Sequence, residues 1–335
     1  MSVNTVGLII TLALAILVAL LAIAAQPAAH VPRIGLLVLG VPSGPHVEAF
    51  RRALHDRGYV QDHTIIIEER WTEGHAARLP DLAAELVQRP VALLVAFSTP
   101  AALAAKHATS TIPIVISDVS DPVATGLVAS LTQPGGNITG VAPMSREING
   151  KRLELLKEAA PALSRVAVLL NPGHPTQRLD NPVGVPFTGE VARAARALGL
   201  QLLYPLEVQT PQEIETAFAV MRQERAEALF VASDPLFFAH RAQIAALAIK
   251  SRLPTTFERR EYVEAGGLMA YGAKFSELAA RLATFVDKIL HGAKPADLPV
   301  EQSTTFEPVI NLKTAEALGL TIPPTLLFQA TEVIK

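Results

Sequence analysis

After Pro32 the chain alternates between two hydrophobic periods. Short apolar runs rich in leucine and β-branched residues are followed by stretches whose apolar residues recur every three or four positions. The first kind reads as strand and the second as amphipathic helix. Strands are expected at residues 33–40, 65–67, 91–96 and 112–116, with helices at 46–57, 77–88 and 100–108 between them. Gly58 ends the first of these helices. The alternation pauses over 117–140, which holds Asp118, Asp121-Pro122, Pro134-Gly135-Gly136 and Asn137. Such turn formers predict loops, with room only for a short helix at 127–131. The pattern then resumes. Helices are expected at 149–159, 190–198, 211–225, 238–251 and 276–291, and strands at 165–170, 201–203, 228–232, 255–257 and 268–271. The tail carries an apolar run at 306–311, a short helix at 313–318 and then Pro323-Pro324.

Nearly continuous apolar strands are what a parallel sheet requires when helices cover both its faces. About nine strand–helix alternations are more than one doubly wound sheet needs. Two α/β lobes split near Gly140 account for them, and so does a single (β/α)₈ barrel. The turn-rich break in mid-chain and the helix and strand that follow Tyr271 favour two lobes.

The N-terminus follows a different pattern. Residues 6–25 are apolar except for Gly7 and Thr11, and no charged side chain precedes Arg33. Small residues close the run at Ala22 and Ala24 and follow it at Ala28 and Ala29. This reads as a secretory signal over residues 1–29. Roughly 20 apolar residues also suffice to span a bilayer, so an uncleaved N-terminal anchor fits the same stretch. Without cysteine the chain has no disulfide, no thiolate nucleophile and no lipid anchor at a cysteine. Net charge is -2, with no basic run to neutralise phosphates, which argues against a nucleic-acid partner. The nine histidines show no pair at metal-ligand spacing, and no nucleophile elbow, zinc-protease helix motif or phosphate-binding loop occurs. No cofactor is expected.

In parallel sheets ligands bind beyond the carboxyl ends of the strands. The residues expected there are Ser43 after the first strand, Ser98 and Thr99 after the third and Asp118 after the fourth. Asn171, Asp234 and Tyr271 occupy such ends in the second half. In Ser98-Thr99-Pro100, Thr99 reads as an N-cap and Pro100 as the first helical residue. The helix N-terminus beyond them could seat a ligand carboxylate, and equally could be a capped helix that binds nothing. Asp118 and Asp234 could accept from a ligand amine, or could cap helices. Tyr271 could stack on a ligand or sit in the core. His174 reads as solvated, and so does the charged stretch Glu258-Arg259-Arg260-Glu261.

Three stretches together carry a resemblance. One runs from Ser120-Asp121-Pro122-Val123 through Gly126-Leu127-Val128 to Pro134-Gly135-Gly136-Asn137-Ile138-Thr139-Gly140-Val141. Another is Glu261-Tyr262-Val263-Glu264-Ala265-Gly266-Gly267-Leu268-Met269-Ala270-Tyr271-Gly272. The third runs from Phe306-Glu307-Pro308-Val309-Ile310-Asn311-Leu312-Lys313-Thr314-Ala315 through Leu318-Gly319-Leu320 to Ile322-Pro323-Pro324. With these motifs the chain resembles the ABC transporter substrate-binding proteins that include the tryptophan- and tyrosine-binding ones. The resemblance covers nearly everything after Arg33. It implies an α/β type I periplasmic-binding-protein fold of two Rossmann-like lobes with parallel sheets and a hinge. Lobe 1 would be residues 32–143 plus 274–297, and lobe 2 residues 144–273 plus 298–335. Ser98 and Thr99 match the family's serine/threonine turn before a helix, and Asp118 and Asp234 fall on loops that face the cleft in such folds.

The expected function is that of an extracytoplasmic solute-binding protein, a monomer that closes on a small organic ligand and delivers it to an ABC transporter permease. The signal implies a periplasmic or extracytoplasmic location, with membrane contact through the N-terminal segment or the permease. Low aromatic content (5%) points to a compact polar ligand such as an amino acid or carboxylate. A membrane-anchored sensor of the same fold is the alternative. An α/β hydrolase or lyase would need an acid–base pair or a metal near its reacting centre, and no evident partner stands near Asp118 or Asp234.

Overall fold

A computed structural model of the chain describes residues 31–40, 44–73, 75–177 and 187–335. The expected signal or anchor segment and the candidate residue Ser43 lie outside the described residues. The first half runs β1 (Arg33–Val38), α1 (Pro45–His55), β2 (Ile66–Trp71), α2 (Leu79–Val87), β3 (Leu93–Phe97), α3 (Thr99–Ala108), β4 (Ile114–Ser117) and β5 (Ile138–Ala142). The second half opens with α4 (Ser145–Ala159), β6 (Arg165–Leu170), α5 (Phe187–Ala197), β7 (Gln201–Glu207), α6 (Pro211–Gln223) and β8 (Ala228–Val231). It continues through α7 (Pro235–Ala239), α8 (Arg241–Lys250), β9 (Thr255–Phe257), α9 (Arg260–Glu264) and β10 (Met269–Ala273). The last part comprises α10 (Phe275–Leu290), β11 (Glu301–Gln302), β12 (Phe306–Asn311), α11 (Leu312–Leu318), α12 (Pro324–Gln329) and β13 (Glu332–Ile334).

These strands form two separate sheets, so the single-barrel reading falls. One sheet has the order β11-β5-β4-β3-β1-β2 and the other β13-β12-β10-β9-β8-β6-β7. In each, the first strand of the lobe pairs with both the second and the third, which makes a switch point where a crevice opens. Alternate residues of each strand feed opposite cores. Ile34, Leu36 and Val38 of β1 pack with α1 and α10, while Leu37 packs with α2 and α3. Val166, Val168 and Leu170 of β6 face one core of the second lobe, and Ala167 and Leu169 face the other. Burial on both faces explains why the strands read as unbroken apolar runs.

Three chain crossings join the lobes, after β5, after β10 and before β12. They lie side by side: the amide of Ser303 donates to Ala142 O at 3.1 Å, and that of Lys274 to Thr305 O at 3.2 Å. Helix α10 returns to lobe 1 and buries Leu278, Leu282, Phe285, Val286 and Ile289 there. Beyond it β11 pairs in parallel with β5, so residues 298–302 sit with lobe 1 and not with lobe 2 as the sequence boundary at 297 had them. Thr139 Oγ1 donates to Leu298 O at 2.7 Å and ties this segment down. The chain then re-enters lobe 2 from the hinge, so β12 runs antiparallel to β10, the one antiparallel pair in an otherwise parallel sheet. The helix expected at 238–251 is two, α7 and α8, broken at His240. No helix forms at 127–131, where the chain turns instead. Among the described residues no helix is long and apolar enough to cross a membrane.

Candidate functional site

The carboxyl ends of both sheets face each other across the hinge. In lobe 1, β3 ends at Phe97 and the chain passes into α3 through Ser98, whose φ is 94°. Next to it β4 ends at Ser117 and continues through Asp118, at φ 59°. Two non-glycine residues in left-handed conformations at adjacent strand ends are held there by their surroundings and mark a shaped site. The amide of Ser98 donates to Ser117 O at 3.0 Å, and Ser98 Oγ accepts from Ala101 N at 3.5 Å as the N-cap of α3. Ser98 is therefore the cap, not Thr99. Thr99 is buried behind it, where its Oγ1 accepts from the amide of Ser120 at 3.2 Å.

In lobe 2, Asp234 caps α7. Its carboxylate accepts from Leu236 N at 2.7 Å and from Asn171 Nδ2 at 3.0 Å. Asn171 thus acts through Asp234. Gln177 is buried between the same two strand ends, donating to Ser233 O at 2.6 Å and accepting from the amide of Asn171 at 2.9 Å. Strand β9 ends at Phe257, and the turn into α9 places Glu258 and Arg259 at the cleft. Both are buried, at 9% and 5% exposure, so the reading of this stretch as a solvated turn is wrong for them. Arg260 and Glu261 are half-exposed, and Arg260 pairs with Glu264 at 2.9 Å. Charge density along the sequence could not separate them; the end of the strand does.

Between these strand ends lies a cavity of about 360 Å³ lined from both lobes, within the usual size range of small-molecule sites. Ser98, Asp118, Asp234, Glu258 and Arg259 supply its polar wall. Trp71, Phe97, Phe238 and His46 supply an aromatic one. The His46 ring sits 5.3 Å from Phe97 and 6.1 Å from Phe238, so rings from the two lobes meet. Few aromatics in the whole chain therefore did not mean few at the site. His174, read as solvated, is buried and lines the same cavity. Tyr271 does not. It stacks on Phe306 at 5.8 Å, on the far side of β10's pairing with β12.

Arg259 bridges the lobes. Its Nη2 donates to Asp118 Oδ2 of lobe 1. Its guanidinium lies 3.8 Å from the centre of the Phe275 ring and 4.7 Å from that of Phe238, within the range of cation–π attraction. Burial raises the carboxyl of Asp118, against the neighbouring guanidinium that pulls it down. Burial, reinforced by the charge of Arg259, lowers His46 to about 3, so its imidazole is neutral. Among the described residues no group of three or more His, Asp and Glu is placed to hold a metal ion.

Burial pushes the Asp234 carboxyl up to about 7, against the hydrogen bonds from Asn171 and the Leu236 amide. Between its ordinary value of 3.8 and 7 the folded chain holds a proton that the unfolded chain has released. Stability of the ligand-free protein is then expected to fall as pH rises through that window, by about 4 kcal/mol in full. Asp234→Asn keeps a good cap and removes this dependence. The variant should exceed wild type at pH 8 and lose the advantage towards pH 4. Denaturant midpoints at both pH values test this, and an equal gap at the two would contradict it.

Two lobes of like topology, joined by three crossings and closed over a lined cavity, define a ligand-binding protein of the hinge-closing class. Residues 43–334 match the ABC transporter substrate binding protein family, and the chain belongs to it. It is a substrate-binding protein and not an enzyme, of a family that serves extracytoplasmic transport. It is 27% identical over 274 residues to a "Tyrosine-binding protein" of Clostridioides difficile, covering 82% of this chain and 76% of that one. Among solved structures it is similar to an ABC domain from Streptococcus pneumonia in complex with L-Trp, with TM-score 0.81 and 28% identity over 90% of this chain and 99% of that one. A ligand-free, open substrate binding protein from Clostridium difficile matches with TM-score 0.63 and 26% identity, over 91% of this chain and 100% of that one.

Proposed function

We propose that the protein is the extracytoplasmic receptor of an ABC importer and that its cargo is an amino acid with an aromatic side chain. The observation that carries this is the inter-lobe cavity, which sets an aromatic wall of Trp71, Phe97 and Phe238 beside the charged groups Asp118, Glu258 and Arg259. A free aromatic amino acid has the matching halves, one flat and apolar, the other doubly charged. Relatives named for tyrosine and solved with L-Trp support the same class. The higher TM-score to the L-Trp complex than to the open, ligand-free relative accords with lobes in the closed arrangement.

Lobe 1 comprises residues 32–143 with 274–302, and lobe 2 comprises 144–273 with 303–335. Ligand contacts made to both lobes exist only when the cleft is shut, so the ligand draws the population towards closure. The permease then reads the closed shape. The apolar N-terminal run serves as the export signal or as an anchor, which places the monomer in the periplasm or at the outer face of the membrane. Ser98, Asp118 and Asp234 are ligand contacts in this scheme, and Thr99 and Asn171 hold them in position.

The test is a thermal-unfolding screen of residues 28–335 against amino acids, sugars, nucleosides and organic acids. A cargo at a hundred times its dissociation constant adds about 2.7 kcal/mol. Tryptophan, tyrosine or phenylalanine is expected to raise the midpoint and to be recovered unchanged. A shift with sugars or nucleosides and none with amino acids would overturn the cargo assignment.

A further inference from the structure

Three charged atoms of residues that line the cavity have no hydrogen-bond partner among the described residues. They are Nε and Nη1 of Arg259 and Oε2 of Glu258, and each is fully buried. The two residues are neighbours in sequence but do not satisfy each other. Arg259 Nε and Glu258 Oε1 are 3.8 Å apart, beyond hydrogen-bond range. Buried charged groups left without partners are strongly unfavourable, so native structures keep them where a ligand completes the set. The positions also suit opposite tasks. Arg259 can donate but not accept, and an ionised Glu258 can accept but not donate.

The balance of charge narrows the ligand further. Glu258 is buried and Asp118 half-buried beside two buried cations, Arg259 and Arg152, while Asp234, the third acid of the wall, is pushed towards its neutral form by burial. Arg152 is 1% exposed and its charge acts on Glu258. The enclosed set is therefore neutral without any ligand. A net charge added to it would be left without a buried counter-ion and would carry a desolvation penalty.

Resting on the amino-acid reading above, we infer that Arg259 and Glu258 read the carboxylate and the ammonium of the cargo, and that the site admits only zwitterions of zero net charge. Arg259 then holds two carboxylates at once. Nη2 keeps Asp118 of the opposite lobe, and Nη1 takes the ligand. Closure and recognition of the carboxylate run through the same guanidinium. Acidic amino acids are excluded because their second carboxylate meets Asp118 and Glu258, while Arg241, the other arginine of the wall, is half-buried, donates to Phe238 O at 3.0 Å and lies over the Phe238 ring.

Calorimetry on the folded chain, with ligand pairs that differ at one end, tests this. L-Tryptophan is compared with tryptamine, which lacks the carboxylate, and with indole-3-propanoate, which lacks the ammonium. L-Tyrosine is compared likewise with tyramine and 3-(4-hydroxyphenyl)propanoate. In the wild type each one-ended analogue is expected to bind about a hundredfold more weakly than its amino acid, as when one partner of a buried charged pair is removed. Arg259→Met should collapse the preference over the amine to below about tenfold and leave the preference over the propanoate standing. Glu258→Gln should do the reverse. Glutamate should not compete in any form. If Arg259→Met does not fold, Arg259→Lys, which keeps the charge, should retain an intermediate preference. Wild type that binds amine and amino acid alike overturns the inference without any variant. Variants with unmoved ratios overturn it while the amino-acid reading stands. A wild type that binds none of the amino acids overturns both.

Discussion

Gly272→Ala is expected to destabilise the protein by about 3 kcal/mol or more, at the upper end of what overpacking costs. A Cβ at this position would lie 1.8 Å from Glu258 O and 2.8 Å from the carbonyl carbon of the same residue. Both are backbone atoms, so no rotamer change relieves the clash. The parallel pair β9–β10, in register through Ala270 and Phe257, would have to part just where β9 delivers Glu258 and Arg259 to the cleft. The variant should therefore lose ligand affinity as well as stability. Denaturant midpoints and calorimetry on the same preparation check both, and a variant of wild-type stability would show that the strand ends are looser than their packing implies. Lobe 1 has the counterpart. A Cβ on Gly140 of β5 would lie 2.2 Å from Ile116 O, beside the strand end that carries Asp118, and its φ of 141° suits glycine alone. In both lobes a bare backbone lets two strands close tightly next to the site.

Arg152→Met is expected to cost about 3–5 kcal/mol, the range for removing one member of a buried charged network. Arg152 is among the largest fully buried side chains, with its guanidinium 4.0 Å from the centre of the Phe230 ring. It donates to Val231 O at 2.6 Å, to Thr256 O at 2.9 Å and to Asn149 Oδ1 at 3.2 Å. Two of these are main-chain carbonyls at the ends of β8 and β9, which lead into Ser233-Asp234 and Glu258-Arg259. Burial lowers Arg152 only to about 10, so it remains charged at neutral pH and offsets Glu258. Removing it strands two carbonyls and one carboxylate together. If the charge of Glu258 is part of the loss, Glu258→Gln in the Arg152→Met background should restore some of the stability. Urea midpoints of the two single variants and the double variant measure that coupling. Strict additivity would mean that Arg152 acts through the carbonyls alone.

The polar residues found in the cleft were legible to different degrees. Ser98, Asp118 and Asp234 could be placed because each follows an apolar run at a strand end, and in parallel sheets that end is where ligands sit. Asn171 and Thr99 meet the same criterion yet spend their side chains on the loops themselves, Asn171 on Asp234 and Thr99 on the amide of Ser120. Distance from the strand end does not reveal this, since Ser98, Asp118 and Asn171 each directly follow a strand. Tyr271 failed for a related reason. It lies within β10, where side chains alternate between faces, and its face is the one stacked on Phe306. Glu258, Arg259 and Arg152 were hidden by their own chemistry. Charged residues in turns and on helices are mostly solvated, and nothing local says that a particular one is enclosed. His174 was hidden in the same way, inside the Pro- and Gly-containing stretch 171–175, where it is buried and lines the cavity.

What the sequence determined by itself is what short-range physics controls. The two hydrophobic periods specified strands and helices, the unbroken apolar strands specified parallel sheets buried on both faces, and three motifs specified the family. Tertiary structure alone decided which ends of those strands meet, because that depends on three crossings that set Ala142 beside Ser303 and Lys274 beside Thr305 in one hinge. Asp118 and Arg259 are separated by 141 positions and lie in different lobes. Their pairing, the neutral charge set around it and the aromatic wall drawn from a chain with few aromatics all arise from closure. Closure is a property of the folded lobes and leaves no periodic trace along the chain.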